Sequence, residues 1–252
     1  MIEVIILSLV QGITEFLPVS SSSHLIVFSK FLKFQGQNLT VDISLHIGSF
    51  LAVIVYFSKD IINFAKNKLL FLKVILASLP IIFIGYLLVK FNLIDQLRNI
   101  KTIGWTTLIF GILLFLSDRF ETKKNLENNL TLKSIMFVGF MQVLSLIPGT
   151  SRSGITLTAA RFLQFNRVDS AKISFLLSIP TLGAVSIFGL WDLTVKNNIN
   201  FSILNLFAIF LSFIFSYITI RFLLNYLKKF SLKIFVFYRI SLGVVILVLA
   251  YL

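Results

Sequence analysis

Cysteine is absent from this chain, which excludes disulfides, thiolate metal sites and a cysteine nucleophile. Charge is scarce: 13% of the 252 residues are Asp, Glu, Lys or Arg, against roughly a quarter in a soluble domain. Acids are the scarcer sign, ten against 23 Lys and Arg, and proline occurs only four times. What fills the space is apolar: 57% of the side chains are hydrophobic and 28 are Phe. A soluble protein of this length has no interior able to hide so much apolar surface. A soluble enzyme, a disordered protein and a nucleic-acid binder are therefore excluded, and the solvent is lipid. The net charge of +13 sits between apolar runs, where it reads as membrane topology and contact with anionic headgroups. The first apolar stretch lacks a basic leader and a small-residue cleavage site, so it is not expected to be a signal peptide.

Crossing a bilayer takes about 20 apolar residues. Six stretches meet or nearly meet that need: Val41–Phe57, Leu69–Val89, Thr102–Ser117, Ile173–Trp191, Ile199–Ile220 and Ile234–Leu252. Two further apolar regions are interrupted, Ile2–Phe34 around Glu15 to His24 and Ser134–Phe165 around Pro148 to Gly154. The two breaks look alike. Leu17-Pro18-Val19-Ser20-Ser21-Ser22-Ser23 lies over Ile147-Pro148-Gly149-Thr150-Ser151-Arg152-Ser153, and upstream the register slips by one residue, with Gln11 against Gln142. Irregular backbone at membrane depth survives only where protein or water covers it. Pro18 and Pro148 each remove a backbone donor. Both regions are therefore expected to be re-entrant, entering, breaking near the midplane and returning to their own side.

With six crossings, one side holds Lys30, Lys33, Lys90, Arg98, Lys101 and Lys196, and the other holds thirteen Lys and Arg, including Lys123, Lys124, Lys133 and Arg167. The positive-inside rule makes the richer side cytoplasmic and puts both termini outside. The expectation is one all-α integral membrane domain over residues 1–252: six transmembrane helices plus two re-entrant helix pairs in an inverted-topology repeat. Repeat one covers about 1–117 and repeat two about 131–252.

Few polar residues stand where chemistry could occur. Glu15 is an acid inside a broken apolar region, one helical turn after Gln11. It reads as a metal ligand or a general acid/base, with a helix cap as the plain alternative. Ser20, Ser21, Ser22 and Ser23 lead to His24, which could activate either Ser20 or Ser21; helix capping and small-residue packing are the competing uses of serine. Pro148 to Gly154 combines glycine backbone, the hydroxyls of Thr150, Ser151 and Ser153, and the Arg152 guanidinium, a set suited to phosphate. An internal Arg152–Glu15 ion pair is the alternative. Asp42 and His46, four apart, are expected to pair or to support the site. Arg161 and Arg239 are expected to snorkel to headgroups, Lys73 needs no special account, and Trp105 and Trp191 fit the interface. The sum is a site for a phosphorylated substrate in lipid, to which Mg²⁺ is a natural addition.

At these residues the chain resembles the undecaprenyl-pyrophosphate phosphatase family, the membrane proteins linked to bacitracin resistance. The first family motif reads Gln11-Gly12-Ile13-Thr14-Glu15-Phe16-Leu17-Pro18-Val19-Ser20-Ser21, with His24 at the family's histidine. The second, Pro148 to Gly154, is intact, and Asp42 and His46-Ile47-Gly48 match the following helix. The resemblance implies a hydrolase that converts undecaprenyl (C55) diphosphate to the monophosphate and so recycles the carrier lipid for cell-wall synthesis. It implies a divalent cation, Mg²⁺ or Ca²⁺, a homodimer, and a multi-pass plasma-membrane protein whose site opens to the outer face. By position, Glu15 binds the metal or moves a proton. Ser21 is the nucleophile, with His24 as base or alternative nucleophile. Arg152 holds the pyrophosphate, and Gln11, Ser20, Ser22, Gly149, Thr150, Ser151, Ser153 and Gly154 line the substrate. Two positions depart from the pattern: Gln11 replaces a carboxylate, and Ser23 stands where glycine is common. An uncleaving transporter or flippase of lipid phosphate or a small anion is the rival function, because inverted repeats with broken helices are a transporter architecture.

Overall fold

A computed structural model describes residues 1–21, 23–24, 39–61, 68–91, 93, 97, 99–195 and 202–252. Ser22 and residues 25–38, where the first broken region is expected to return, lie outside the described residues. Apart from one isolated bridge between Lys124 and Phe165, the described residues contain no strand.

Among the described residues, six helices are long and apolar enough to cross a membrane. They are α2 (Leu39–Tyr56), α3 (Lys68–Lys90), α4 (Ile100–Asp118), α8 (Arg167–Val195), α9 (Ile203–Leu227) and α10 (Lys233–Tyr251). The described residues also form shorter helices: α1 (Ile2–Thr14), α5 (Leu126–Asn129), α6 (Leu132–Gln142) and α7 (Arg152–Phe162). A 3₁₀ turn, Val143–Leu146, follows α6. Polar caps set several starts. Asn99 accepts from the Lys101 N–H, Thr131 from the Ser134 N–H and Ser151 from the Gly154 N–H, satisfying donors that a helix start leaves over.

The helices pack in pairs, α2 on α9, α4 on α10, α1 on α9, α7 on α8 and α3 on α6. Lipid gives apolar side chains no reason to prefer protein, so association rests on close backbone approach and interhelical hydrogen bonds. Gly48 lies against the Ile209 carbonyl and Ser212, and Gly139 against the Ala77 backbone, where an added Cβ would collide. Ser49 bonds both Ser212 (3.2 Å) and Ser216 (2.9 Å) across α2 and α9. Leu79, Phe83, Trp105, Ile187, Phe188, Trp191 and Phe237 are exposed, as a lipid-facing surface requires.

One buried arginine, Arg239, bonds both broken segments. After α1 the chain runs irregularly from Glu15 to Ser20; after the 3₁₀ turn it runs irregularly from Ile147 to Ser151. Ser20 (φ 78°) and Ser151 (φ 68°) both adopt the left-handed conformation, and each precedes helical backbone. They stand 131 residues apart, the spacing of Gln11 and Gln142, so in conformation Ser21 corresponds to Arg152 and the two prolines are one residue out of step. The exposed carbonyls are covered by side chains. Ser153 Oγ donates to Leu17 O (2.7 Å), and Thr106 Oγ1 donates to Pro148 O (2.6 Å). Arg239 Nη2 donates to Gly149 O (3.0 Å) and Thr150 O (2.9 Å), and its Nη1 to Pro18 O (3.5 Å). Glycine is required at Gly149 for two reasons: φ is +94°, and a Cβ there would strike Thr106 Oγ1 and the Ile103 carbonyl.

Arg239 therefore does not snorkel. It is completely buried, because four backbone carbonyls, those of Pro18, Thr107, Gly149 and Thr150, satisfy its guanidinium inside the protein. Arg161 departs from expectation in the same way. It is 1% exposed and donates to the carbonyls of Phe165 and Phe120 and to Thr122 Oγ1. Asp118 lies 3.8 Å from Arg161 and takes two bonds from Arg167 (2.6 and 3.2 Å) and one from the Leu232 N–H (3.1 Å). That cluster ties the ends of α4, α7 and α8 to the start of α10. Lys73 also has a task, donating to the Leu130 carbonyl (2.9 Å).

Candidate active site

Glu15 caps the end of α1, its N–H bonded to the Gln11 carbonyl at 2.9 Å. Its carboxylate is buried and is the point where the two broken segments meet. Arg152 Nη2 donates to Oε1 (2.8 Å), Ser21 Oγ to Oε2 (3.0 Å) and Gln11 Nε2 to Oε2 (3.1 Å). The Arg152–Glu15 pair weighed from sequence is thus present, across 137 residues of chain. Arg152 opens α7, and Ser21 opens the helical backbone after the first break. One helix start supplies the hydroxyl and the other supplies the cation.

Two polar atoms of this cluster, Gln11 Oε1 and Arg152 Nη1, are buried without a partner, and so is Thr150 Oγ1, two residues before Arg152 in the second break. The Gln11 amide nitrogen must face the Glu15 carboxylate, since an oxygen there would meet like charge, and this turns Oε1 away from it. Leaving a buried donor or acceptor unmade costs roughly 1–3 kcal/mol, more when it is charged. Orphaned atoms gathered at one ion pair mark a place that binds something. The idle donors, a guanidinium nitrogen and a hydroxyl, suit an anion, and the idle acceptor suits a cation.

The other sequence candidates divide. Ser20 Oγ bonds Ser23 Oγ (3.0 Å), Ser151 Oγ caps α7, and Ser153 Oγ holds Leu17 O. These hydroxyls shape the breaks. Gly149 and Gly154 let Thr106 and Arg239 approach the second break closely. Ser22 lies outside the described residues. Ser21 and His24, expected to face each other, take different partners: Ser21 turns to Glu15, while His24 bonds the Ser20 carbonyl (2.6 Å) and the Tyr238 hydroxyl (2.5 Å). His46 does support the site, its Nδ1 lying 3.2 Å from Gln11 Nε2. Among the described residues no three His, Asp or Glu side chains form a metal cluster.

Sequence reasoning missed Tyr238, Arg239, Thr106 and Thr107. All four reach the breaks from α4 and α10, far away in sequence, and no local spacing signals such contacts. The only hint was an arginine in an otherwise apolar helix.

Comparison with known proteins decides the family. The model of the bacitracin resistance protein BacA family matches residues 4–245. The chain belongs to the BacA family. A curated BacA-like relative, the undecaprenyl-diphosphatase of Pelagibacter ubique (strain HTCC1062), is 45% identical over 99% of this chain and 98% of its own length. The undecaprenyl-diphosphatases of Hahella chejuensis (39%) and Jannaschia sp. (38%) match over 99% and 98% of this chain and 98% and 97% of theirs. Six apolar spans in a BacA-family chain make a multi-pass plasma-membrane protein.

Proposed function

We propose that this protein is an undecaprenyl-diphosphatase: a membrane hydrolase that cleaves undecaprenyl diphosphate to undecaprenyl phosphate and inorganic phosphate, recycling the carrier lipid for cell-wall synthesis. One observation carries the reading. A hydroxyl (Ser21), a carboxylate able to take its proton (Glu15) and a guanidinium with an idle nitrogen (Arg152 Nη1) stand in one buried cluster at the meeting of two broken helices. A transporter or flippase does not need a base beside a hydroxyl.

The chemistry follows from these contacts. Arg152 Nη1 and Thr150 Oγ1 grip the terminal phosphate, leaving Glu15 bound to Nη2. Ser21 Oγ attacks the terminal phosphorus as its proton passes to Glu15 Oε2, and the bond from that phosphorus to the bridging oxygen breaks, releasing undecaprenyl phosphate. Water, giving a proton to His24 Nε2, then attacks the phosphorus held on Ser21; Glu15 returns its proton to Ser21 Oγ as that bond breaks, and the inorganic phosphate carries away the proton held by His24. Most of the rate comes from charge placed in advance where charge develops. Gln11, which cannot act as a base, orients Glu15 instead.

A divalent cation fits this donor set as an ion shared with the substrate. Glu15 and the orphaned Gln11 Oε1 would hold Mg²⁺ or Ca²⁺ through hard oxygen atoms, with phosphate oxygens completing the shell. When bound, such an ion neutralises charge on the transferring phosphoryl group. Phosphate release from C15 and C55 isoprenyl diphosphates by detergent-purified protein, in Mg²⁺ and then EDTA, tests the reading. Release should depend on the metal and vanish in Glu15→Gln; intact lipid that stays bound would favour the transporter.

The reading extends to architecture. Repeats 1–117 and 131–252 form inverted halves within one domain, the broken helices are re-entrant, and both termini and the site face outward. The paired left-handed serines and the charge asymmetry support this. Because the chain has no cysteine, single cysteines report sidedness directly. A cysteine near Met1 should label from outside in intact cells, and one in the 121–129 loop only after permeabilisation; the reverse pattern would overturn the topology. The family resemblance supports a homodimer, to be checked by detergent-corrected light scattering.

A further inference from the structure

His24 is held at both ring nitrogens by partners of opposite kind. The Ser20 carbonyl, 2.6 Å from Nδ1, can only accept, so Nδ1 carries the hydrogen. In the neutral ring the lone pair is then on Nε2, and the Tyr238 hydroxyl, 2.5 Å away, is its donor. The two rings lie nearly parallel, 6° apart with centroids separated by 5.7 Å. His46 is set the other way. Gln11 Nε2 faces its Nδ1 and can only donate, so Nδ1 accepts and the hydrogen is on Nε2.

We propose that Tyr238 is a positioning residue for the hydrolysis: its phenolic hydroxyl locks His24 as the neutral ring protonated on Nδ1, keeping the Nε2 lone pair formed and aligned. This rests on the phosphatase reading above. A histidine that takes a proton from the attacking water needs that lone pair, so Tyr238 acts through His24 on the second half of the reaction. Its anchorage is firm, because the next residue, Arg239, is bound to the carbonyls of both breaks. Tyr238 is itself 43% exposed, so the phenol can yield Nε2 to the reaction without opening the core.

Tyr238→Phe keeps the stacked ring and removes only the hydroxyl. Loss of one aligned hydrogen bond should lower kcat roughly tenfold, with KM and melting temperature unchanged. If Tyr238 acts through His24, the same substitution should change nothing further in a His24→Asn background. Wild-type kcat in Tyr238→Phe, or an equal loss in both backgrounds, overturns the proposal.

A spectroscopic arm does not depend on activity. The chain has two histidines, so the spectrum of protein carrying ¹⁵N-histidine is simple. One ring should be protonated on Nδ1 and the other on Nε2, and Tyr238→Phe should move the Nε2 resonance of the first alone. Two rings of the same tautomer, or a spectrum that Tyr238→Phe leaves unmoved, overturns the proposal. A wild-type protein that releases no phosphate would instead overturn the phosphatase reading and leave the tautomer result standing.

Discussion

Arg152→Ala should reduce phosphate release about 10³-fold or more, the scale on which losing a phosphoryl-gripping arginine is felt. Two effects add in that variant. The terminal phosphate loses its guanidinium, and Glu15 loses the partner at 2.8 Å that holds its buried carboxylate in place. Breaking a buried pair from one side costs about 3–5 kcal/mol, because a charge is left uncompensated, whereas replacing both partners is often neutral. The two effects therefore separate. Arg152→Lys keeps a cation for Glu15 and loses the planar fork, so its melting temperature should stay near wild type while kcat falls about 10²-fold. Glu15→Gln with Arg152→Met should recover the stability that Arg152→Met loses and recover no activity. Phosphate release and thermal melting in detergent read both. Near-normal turnover in Arg152→Ala would remove the guanidinium from the mechanism and leave Nη1 as a buried donor without a purpose.

Much of this was legible in one dimension. Lipid demands long apolar helices, and the spans read as Val41–Phe57 and Leu69–Val89 are the helices Leu39–Tyr56 and Lys68–Lys90. The error grew where charge was taken for an end. The stretch read as Ile199–Ile220 is the helix Ile203–Leu227, which runs on through an exposed Arg221. The helix read from Ile173 starts at Arg167, which Asp118 binds. The site motifs were equally visible, since Gln11, Glu15, Ser21 and Arg152 do converge. Hidden from view were interactions between a side chain and a distant carbonyl. Arg161 and Arg239 looked like snorkelling residues because snorkelling is the cheap solution for one arginine in an apolar helix. The opposite solution needs a broken backbone that offers carbonyls at the same depth, and only the tertiary structure reveals the two together. The Ser21–His24 pairing misled for a related reason. Helical spacing puts the two residues within reach, but the left-handed turn at Ser20 aims Ser21 back at Glu15 and leaves His24 to Tyr238.

Arg239→Met should lower activity about 10²-fold, although Arg239 bonds neither Glu15 nor Ser21. Methionine fills much of the volume but leaves the carbonyls of Pro18, Gly149 and Thr150 without their donor in the interior. Each unmade bond costs roughly 1–3 kcal/mol, so the breaks will move to find other donors. Glu15 lies three residues before Pro18, and Arg152 lies two after Thr150, so that movement separates the carboxylate from the guanidinium. A displacement of about 1 Å in a catalytic array can cost 10²-fold, and kcat should fall by about that factor in the fraction that remains folded. Arg161→Met is the matched control. Arg161 is equally buried and equally bound to carbonyls, but its partners are Phe165, Phe120 and Asp118, at the other end of α7. That variant should lose melting temperature and keep its kcat. Equal loss of stability in the two with loss of turnover only in Arg239→Met would identify Arg239 as the side chain that keeps the two breaks in working register. Unchanged turnover in Arg239→Met would mean that Thr106, Ser153 and the Glu15–Arg152 pair hold the breaks together without it.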